Sequence, residues 1–291
     1  MLPVHFIREC SMLAVEPYQF LTVFILFHDT ILPEKVYSIL IFPPRASLDI
    51  SFFETYHYHE KRNYFPGFPP HGRMNKMLKT VFWDWNGTTV ADVPLVVRIN
   101  NEVFARHGIR QTNAEEYRRL FRFPVQDYYR DMGVSSEMFY AIADEWSRGY
   151  HENFPGTPLT PHAAETARRL HDAGLRQVIL SASQERLLKE QLAQYPELAG
   201  CFDEVMGLSD IYAISKVQMG VDYMKRSGLS PEEAVFLGDT LHDAETAHAM
   251  GCACLLISGG HQPDATLRTA GVPVLPSLRE AGDWILERHT L

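Results

Sequence analysis

At 291 residues, 46% of them hydrophobic and 22% charged, the chain can build one large or two modest globular domains. A formal net charge of −9 excludes a nucleic-acid binder that works by neutralising phosphates. It does not exclude a small anionic substrate, because a bound cation can reverse the sign inside one pocket.

Residues 1–76 differ from the rest. They contain two glycines, Gly67 and Gly72, and are rich in Phe, Tyr, His and Ile, with no amphipathic period that lasts. Their longest apolar run, Phe20 to Phe27, is far short of the ~20 residues a membrane-crossing helix needs, and it lacks the basic leader of a signal peptide. Phe65 to Gly72 (FPGFPPHG) is punctuated like a linker. We read residues 1–76 as an N-terminal extension, non-native or disordered, with residues 1–73 dispensable for catalysis and Met74 and Met77 as candidate starts. The competing reading makes Phe20 to Phe27 a weak membrane or partner anchor.

From Met77 onward strand and helix signals alternate. Thr80 to Trp83, Val178 to Leu180, Ala234 to Leu237 and Ala253 to Ile257 predict strands; Glu185 to Gln194, Val217 to Lys225 and Ala244 to Met250 predict helices. Gly251 follows the last of these as a C-terminal cap residue would, and Ser230-Pro231-Glu232-Glu233 fits a capping box. The alternation predicts an α/β fold, a Rossmann-like parallel-sheet core with helices on both faces, built from residues 77–91 and 159–291. Between them, residues 92–158 read as helical only. Leu95, Ile99, Val103 and Phe104 recur at helical spacing, as do Phe139, Ile142, Ala143 and Trp146, which predicts an inserted α-helical cap over the strand ends. Of the cysteines, Cys10, Cys201, Cys252 and Cys254, none has disulfide-framework or zinc spacing; Cys252 and Cys254 read as buried strand residues, and a cytoplasmic setting is expected.

Four short signals carry the chemistry. Asp84-Trp85-Asn86-Gly87-Thr88 follows the first strand, Ser181 ends the second in VILS, Lys216 opens a helix, and Gly238-Asp239-Thr240-Leu241-His242-Asp243 follows AVFL. All lie at strand carboxyl ends or helix starts, where open parallel sheets place ligands. In this order, with an insert after the first, they make residues 77–291 resemble the haloacid dehalogenase superfamily, in particular its phosphoglycolate-phosphatase-like members.

The resemblance implies a hydrolase that attacks phosphorus with Asp84 and forms an aspartyl-phosphate. Gly87 allows backbone N–H groups to face the phosphate, Ser181 donates to a phosphate oxygen, and Lys216 steadies Asp84 and the transferring group. Asp84, Asp239 and a backbone carbonyl at Asn86 give the oxygen shell Mg2+ prefers, with Asp243 as a further ligand or an orienter of bound water. Arg122, in FRFPVQDYY beside Arg118 and Arg119, is the candidate substrate contact from the cap. His242 reads as a surface residue, and Phe121, Phe123, Tyr128 and Tyr129 as cap core.

One position departs from the family. Phosphatases of this kind carry Asp two residues after the nucleophile, to protonate the leaving oxygen and activate water. Here the residue is Asn86, which carries no proton at neutral pH. Phosphonoacetaldehyde hydrolases also lack that Asp, but they use a cap lysine, and no lysine lies between Asp84 and Ser181. Haloacid dehalogenases proper need no metal, and the Asp239–Asp243 pair argues against them. The expected function is hydrolysis of a small phosphorylated metabolite, one bearing a carboxylate or sugar, with a homodimer as the candidate assembly. The alternative is a phosphate- or nucleotide-sensing module that binds without much turnover.

Overall fold

The structure, a computed structural model, describes residues 7–14, 20–28, 36–42, 56–59, 77–212 and 215–289. Met74 and the Phe65 to Gly72 stretch lie outside the described residues. The chain divides into two compact units, Met1–Tyr64 and Phe65–Leu291.

In the first unit β1 (Ile7–Ala14), β2 (Phe20–His28), β3 (Val36–Phe42) and β4 (Tyr56–His59) form a four-stranded antiparallel sheet in chain order. Val, Ile, Phe and Tyr crowd these segments, residue types that favour a pleated strand over a helix. The Phe20 to Phe27 run is β2, and among the described residues no helix is long and apolar enough to cross a membrane.

The second unit is α/β. Its strands β5 (Thr80–Trp83), β6 (Arg176–Gln184), β7 (Glu204–Leu208), β8 (Ala234–Gly238), β9 (Ala253–Ile257) and β10 (Val274–Leu275) lie in the order β10-β9-β8-β5-β6-β7, parallel throughout. The central strands read as unbroken apolar runs because both faces are covered. Phe82, Val178, Leu180 and Phe236 point to one side, where they meet Tyr223 and Met224 of α7 (Val217–Ser227) and Ala244, Ala247 and Met250 of α8 (Leu241–Met250). Val81, Trp83, Ile179, Val235 and Leu237 point to the other, toward Leu170 of α5 (Ala163–Asp172) and Ile285 of α10 (Leu278–His289). Cys201, Cys252 and Cys254 are buried and unbridged.

Four helices precede α5 in the stretch between β5 and β6: α1 (Val93–Arg106), α2 (Ala114–Leu120), α3 (Val125–Asp131) and α4 (Ser136–Asn153). The periodic residues Leu95, Ile99, Val103 and Phe104 are buried along one face of α1, and Phe139, Ile142 and Ala143 along α4. β5 is flanked by β6 on one side and β8 on the other, so the chain leaves it in opposite directions. That is the switch point of an open parallel sheet, where a crevice opens at the strand carboxyl ends.

Candidate active site

Asp84 is the first residue beyond β5, held in line by its N–H, which donates to the Leu237 carbonyl at 2.8 Å. Its carboxylate is 7% exposed and accepts a hydrogen bond from Lys216 Nζ. Lys216, the N-cap residue of α7, is buried and also pairs with Asp243 Oδ1 at 2.6 Å. Asp239 follows β8 directly, and Asp243 lies in the first turn of α8. One oxygen of each of Asp84, Asp239 and Asp243 lies within 4.8 Å of the others. Thr88 Oγ1 donates to Asp239 Oδ1 (2.7 Å) and the His261 N–H to Asp239 Oδ2 (2.6 Å). Asp243 Oδ2 accepts from the Asp239 N–H at 3.0 Å and closes a capping box at the start of α8, with the Thr240 N–H at 2.8 Å.

The charges in this cluster do not balance. Burial pushes the Asp84 carboxyl up to about 8, Lys216 pulling against it and Asp243 and Asp239 adding to it. Burial likewise raises Asp239 to about 6, against the opposing His261. Asp243 goes the other way: burial opposes, but Lys216 and the donors around Thr240 hold it below the usual carboxylate range. Lys216 stays above its ordinary value, since the Asp243 and Asp84 carboxylates outweigh its burial.

The sequence-predicted residues Asp84, Asn86, Gly87, Ser181, Lys216, Asp239 and Asp243 thus meet at the carboxyl ends of the sheet. Some details differ from expectation. Ser181 does not end its strand: β6 runs on to Gln184, with an irregular register between Leu180 and Gln184. Gly87 has φ +72, and a Cβ there would lie 2.2 Å from Asp239 Oδ2, so glycine is required. Its N–H, expected to face a phosphate, donates to Asp92 Oδ1 at 2.8 Å. His242 is buried rather than on the surface. Its Nε2 accepts from the Lys216 N–H at 3.3 Å, Nδ1 lies 3.1 Å from Glu245 Oε2, and the ring stacks on Phe123. Arg122 pairs with Asp131, and Arg118 donates to the Gly260 carbonyl at 2.8 Å.

A second layer was not anticipated. Asp92, fully buried at the start of α1, accepts from Asn86 Nδ2 (2.8 Å) and from Tyr150 OH (2.7 Å) of α4. Asn86 Nδ2 also donates to Tyr150 OH (2.7 Å), and its Oδ1 accepts from Ser183 Oγ (2.7 Å), which fixes the amide. His261 Nε2 lies 3.2 Å from Asp92 Oδ1, while Nδ1 is 2.8 Å from Tyr117 OH of α2. Burial works against a charged His261, yet Asp92, then Asp239 and Asp84, bring it up to about 9. Asp92, raised by burial but lowered more by His261 and the Tyr150 and Asn86 hydrogen bonds, stays below the usual range. In sequence, Asp92 looks like an ordinary helix N-cap. His261 had one usable signal, its place just past β9, at the same edge of the sheet as the other site residues.

Above Asp84 lies a cavity of about 140 Å³, lined from below by Asn86, Asp92, Ser181 and His261 and from above by side chains of α1 to α4. Buried carboxylates and one buried lysine thus meet at the switch point of a parallel α/β sheet. The sequence model of the haloacid dehalogenase-like hydrolases matches residues 81–257, and the chain belongs to that family. Among curated relatives, the phosphoglycolate phosphatase of Synechococcus elongatus is 24% identical over 210 residues, covering 72% of this chain and 93% of that one. The phosphoglycolate phosphatase of Pseudomonas savastanoi is 25% identical over 196 residues, covering 64% and 71%. Among solved structures, a haloacid dehalogenase-like hydrolase of Streptococcus pneumoniae superposes with a TM-score of 0.63 at 19% identity, covering 71% of this chain and 98% of that one. CbbY of Rhodobacter sphaeroides, in complex with phosphate, gives 0.57 at 20% identity, covering 71% and 99%.

Proposed function

We propose that this phosphoric monoester hydrolase acts on a small phosphomonoester through an aspartyl-phosphate on Asp84, with Mg2+ as cofactor. The observation that carries the proposal is the buried Asp84–Lys216–Asp243 chain beside Asp239. An oxygen of Asp84 attacks phosphorus; the P–O bond to the alcohol breaks and its electron pair leaves on the alcohol oxygen. Water then attacks the aspartyl-phosphate, releasing phosphate and restoring the carboxylate. Lys216 keeps Asp84 aimed and neutralises charge on the transferring group, and Ser181, at the cavity floor, donates to a phosphate oxygen.

Asp84, Asp239 and the Asn86 carbonyl would hold Mg2+, with Asp243 anchoring Lys216 and orienting the shell. The fit is good: the donors are oxygens, as the ion prefers. The space around Asp239 is kept by Gly87 and Gly260, where a Cβ would come within 2.2 Å of its carboxylate. When bound, the ion supplies charge stabilisation to the equatorial oxygens. Above this floor, α1 to α4 act as the cap that excludes water. The names of the curated relatives make phosphoglycolate the natural first substrate to assay. Phosphate release from a metabolite panel with Mg2+, and its loss in EDTA, is the expected result; turnover indifferent to metal returns the chain to the dehalogenase reading. A second reading, a sensing module with little turnover, draws support from the fixed Asn86 amide. Tight substrate binding without phosphate release would favour it.

A pH dependence follows for the metal-free protein. Asp84, raised to about 8, and Asp239, raised to about 6, keep protons in the folded state that an unfolded chain has lost above about pH 4. Their contribution is present at low pH and is lost as pH rises through those values. His261, raised to about 9, has the same sign: its contribution is complete below about 6.5 and is lost as pH rises through its folded value. In EDTA the melting temperature should fall by at least about 3 °C between roughly pH 5.5 and 8. Millimolar Mg2+ should recover most of this at pH 8, because the ion takes the place of the protons. A melting temperature that ignores both pH and Mg2+ counts against the metal site.

A further inference from the structure

We infer that the alcohol released carries an uncharged, ring-sized apolar group, so that the substrate is an aryl or arylmethyl phosphate rather than phosphoglycolate or a sugar phosphate; the inference rests on the phosphatase reading above. The cavity over Asp84 is walled by Val96, Phe121, Phe123, Phe139, Trp146 and Tyr212. Among the described residues no Arg or Lys lines it. The arginines of FRFPVQDYY and its flanks turn elsewhere: Arg118 to the Gly259 and Gly260 carbonyls, Arg122 to Asp131, Arg130 to Asp127, and Arg119 to solvent. The one imidazole present, His261, has a protein group beside each nitrogen, Asp92 Oδ1 3.2 Å from Nε2 and Tyr117 OH 2.8 Å from Nδ1.

A carboxylate two or three bonds from the phosphate would therefore be buried against aromatic faces with no counter-ion, a costly placement. A sugar would find much of the polar wall already engaged, although Trp146 Nε1 is buried without a partner. Asn100 donates to Tyr128 OH at 3.2 Å, Gln191 accepts from Trp85 Nε1 at 2.9 Å, and Gln184 donates to the Ser209 carbonyl at 3.3 Å. A flat apolar group asks for none of these. A second observation points the same way. Asn86 has no proton to give a leaving oxygen, and a phenolate, whose conjugate acid has a pKa of about 10, leaves unaided far more readily than an alkoxide.

The test compares phosphate release by the full chain with Mg2+ from phenyl phosphate, benzyl phosphate, ethyl phosphate, phosphoglycolate and glucose 6-phosphate. The first two should exceed phosphoglycolate in kcat/KM by at least about 100-fold, with phenyl ahead of benzyl in kcat. Phe139→Ala should lower the benzyl-to-ethyl ratio of kcat/KM about tenfold. If that variant fails to fold, Tyr212→Ser, at a half-buried position on the same wall, should do so to a smaller extent. Ser147→Arg, which brings a cation to the rim, should shift the ratio toward phosphoglycolate. Preference of the parent for phosphoglycolate or glucose 6-phosphate, or benzyl and ethyl phosphates used equally, overturns the inference and leaves the phosphatase reading standing. Release from none of the five overturns that reading, and the inference with it.

Discussion

Asp84→Asn should reduce phosphate release to below about 1% of the parent, since the amide is a poor nucleophile and the reaction has no second route to the covalent intermediate. The fold should survive. The replacement is nearly isosteric, and it removes a carboxylate that burial, with Asp243 and Asp239 nearby, already holds up at about 8. At pH 8 in EDTA the variant should melt no lower than the parent, and the rise in melting temperature caused by Mg2+ should shrink, because one of the ion's anionic donors is gone. Lys216→Met tests the same cluster from the other side. It leaves Asp84 and Asp243 buried without their counter-charge, a change that typically costs about 3–5 kcal/mol. For a domain of this size that is roughly 6–20 °C in melting temperature. Inactivity in both variants, with instability in the lysine variant alone, separates a nucleophile from the residue that holds it. Activity of Asp84→Asn above about 1% would move the nucleophile elsewhere.

The core was legible because its signals are local. TVFW, AVFL and ACLLI are apolar on both faces, and each is the strand its residues suggest. The chemistry-bearing residues Asp84 and Asp239 follow such strands directly, so sequence order alone places them on one edge. β7 was missed for a physical reason: EVMGL lies at the sheet edge, is mostly half-buried, and carries Glu204 and Gly207 where a central strand would be apolar. β10 is two residues long and leaves no pattern to read.

What was not legible depends on how the helices between β5 and β6 dock. Asp92 and Asn86 are close in sequence, but the partners that give them meaning, Tyr150, His261 and Ser183, come from three distant elements. Nothing in the spacing of Tyr150 along α4 separates a hydroxyl that reaches Asp92 from one more aromatic core residue. The same limit applies to the aromatics after α2. Tyr128 and Tyr129 are buried as a core reading expects, yet they line the cavity together with Phe121 and Phe123, and Phe123 stacks on His242. That contact also explains why His242, a surface residue by sequence, is buried.

Asn86→Asp should raise kcat for alkyl phosphates such as benzyl or ethyl phosphate by at least about tenfold, near the low end of what a positioned acid contributes. Asn86 Nδ2 sits 2.8 Å from Asp92 Oδ2 and 2.7 Å from Tyr150 OH. An aspartate in that place would face the Asp92 carboxylate at hydrogen-bond distance. Two carboxylates so close do not both ionise near neutral pH, and the pair keeps one proton. That proton is what an alkoxide leaving group needs and the parent lacks. Phenyl phosphate leaves without it and should gain little in its first step, so the benzyl-to-phenyl ratio of kcat is the diagnostic measurement. Where the pair gives up that proton at high pH, the added charge weakens affinity for a dianionic substrate, so kcat and KM must be read separately. The pair should add a limb to the pH–rate profile, with activity lost as the shared proton leaves at high pH. His242 offers no substitute route: Nε2 takes the Lys216 N–H and Nδ1 faces Glu245. If Asn86→Asp leaves alkyl phosphates unchanged while His242→Ala abolishes their turnover, the proton travels through His242 after all, and the role given to residue 86 is wrong.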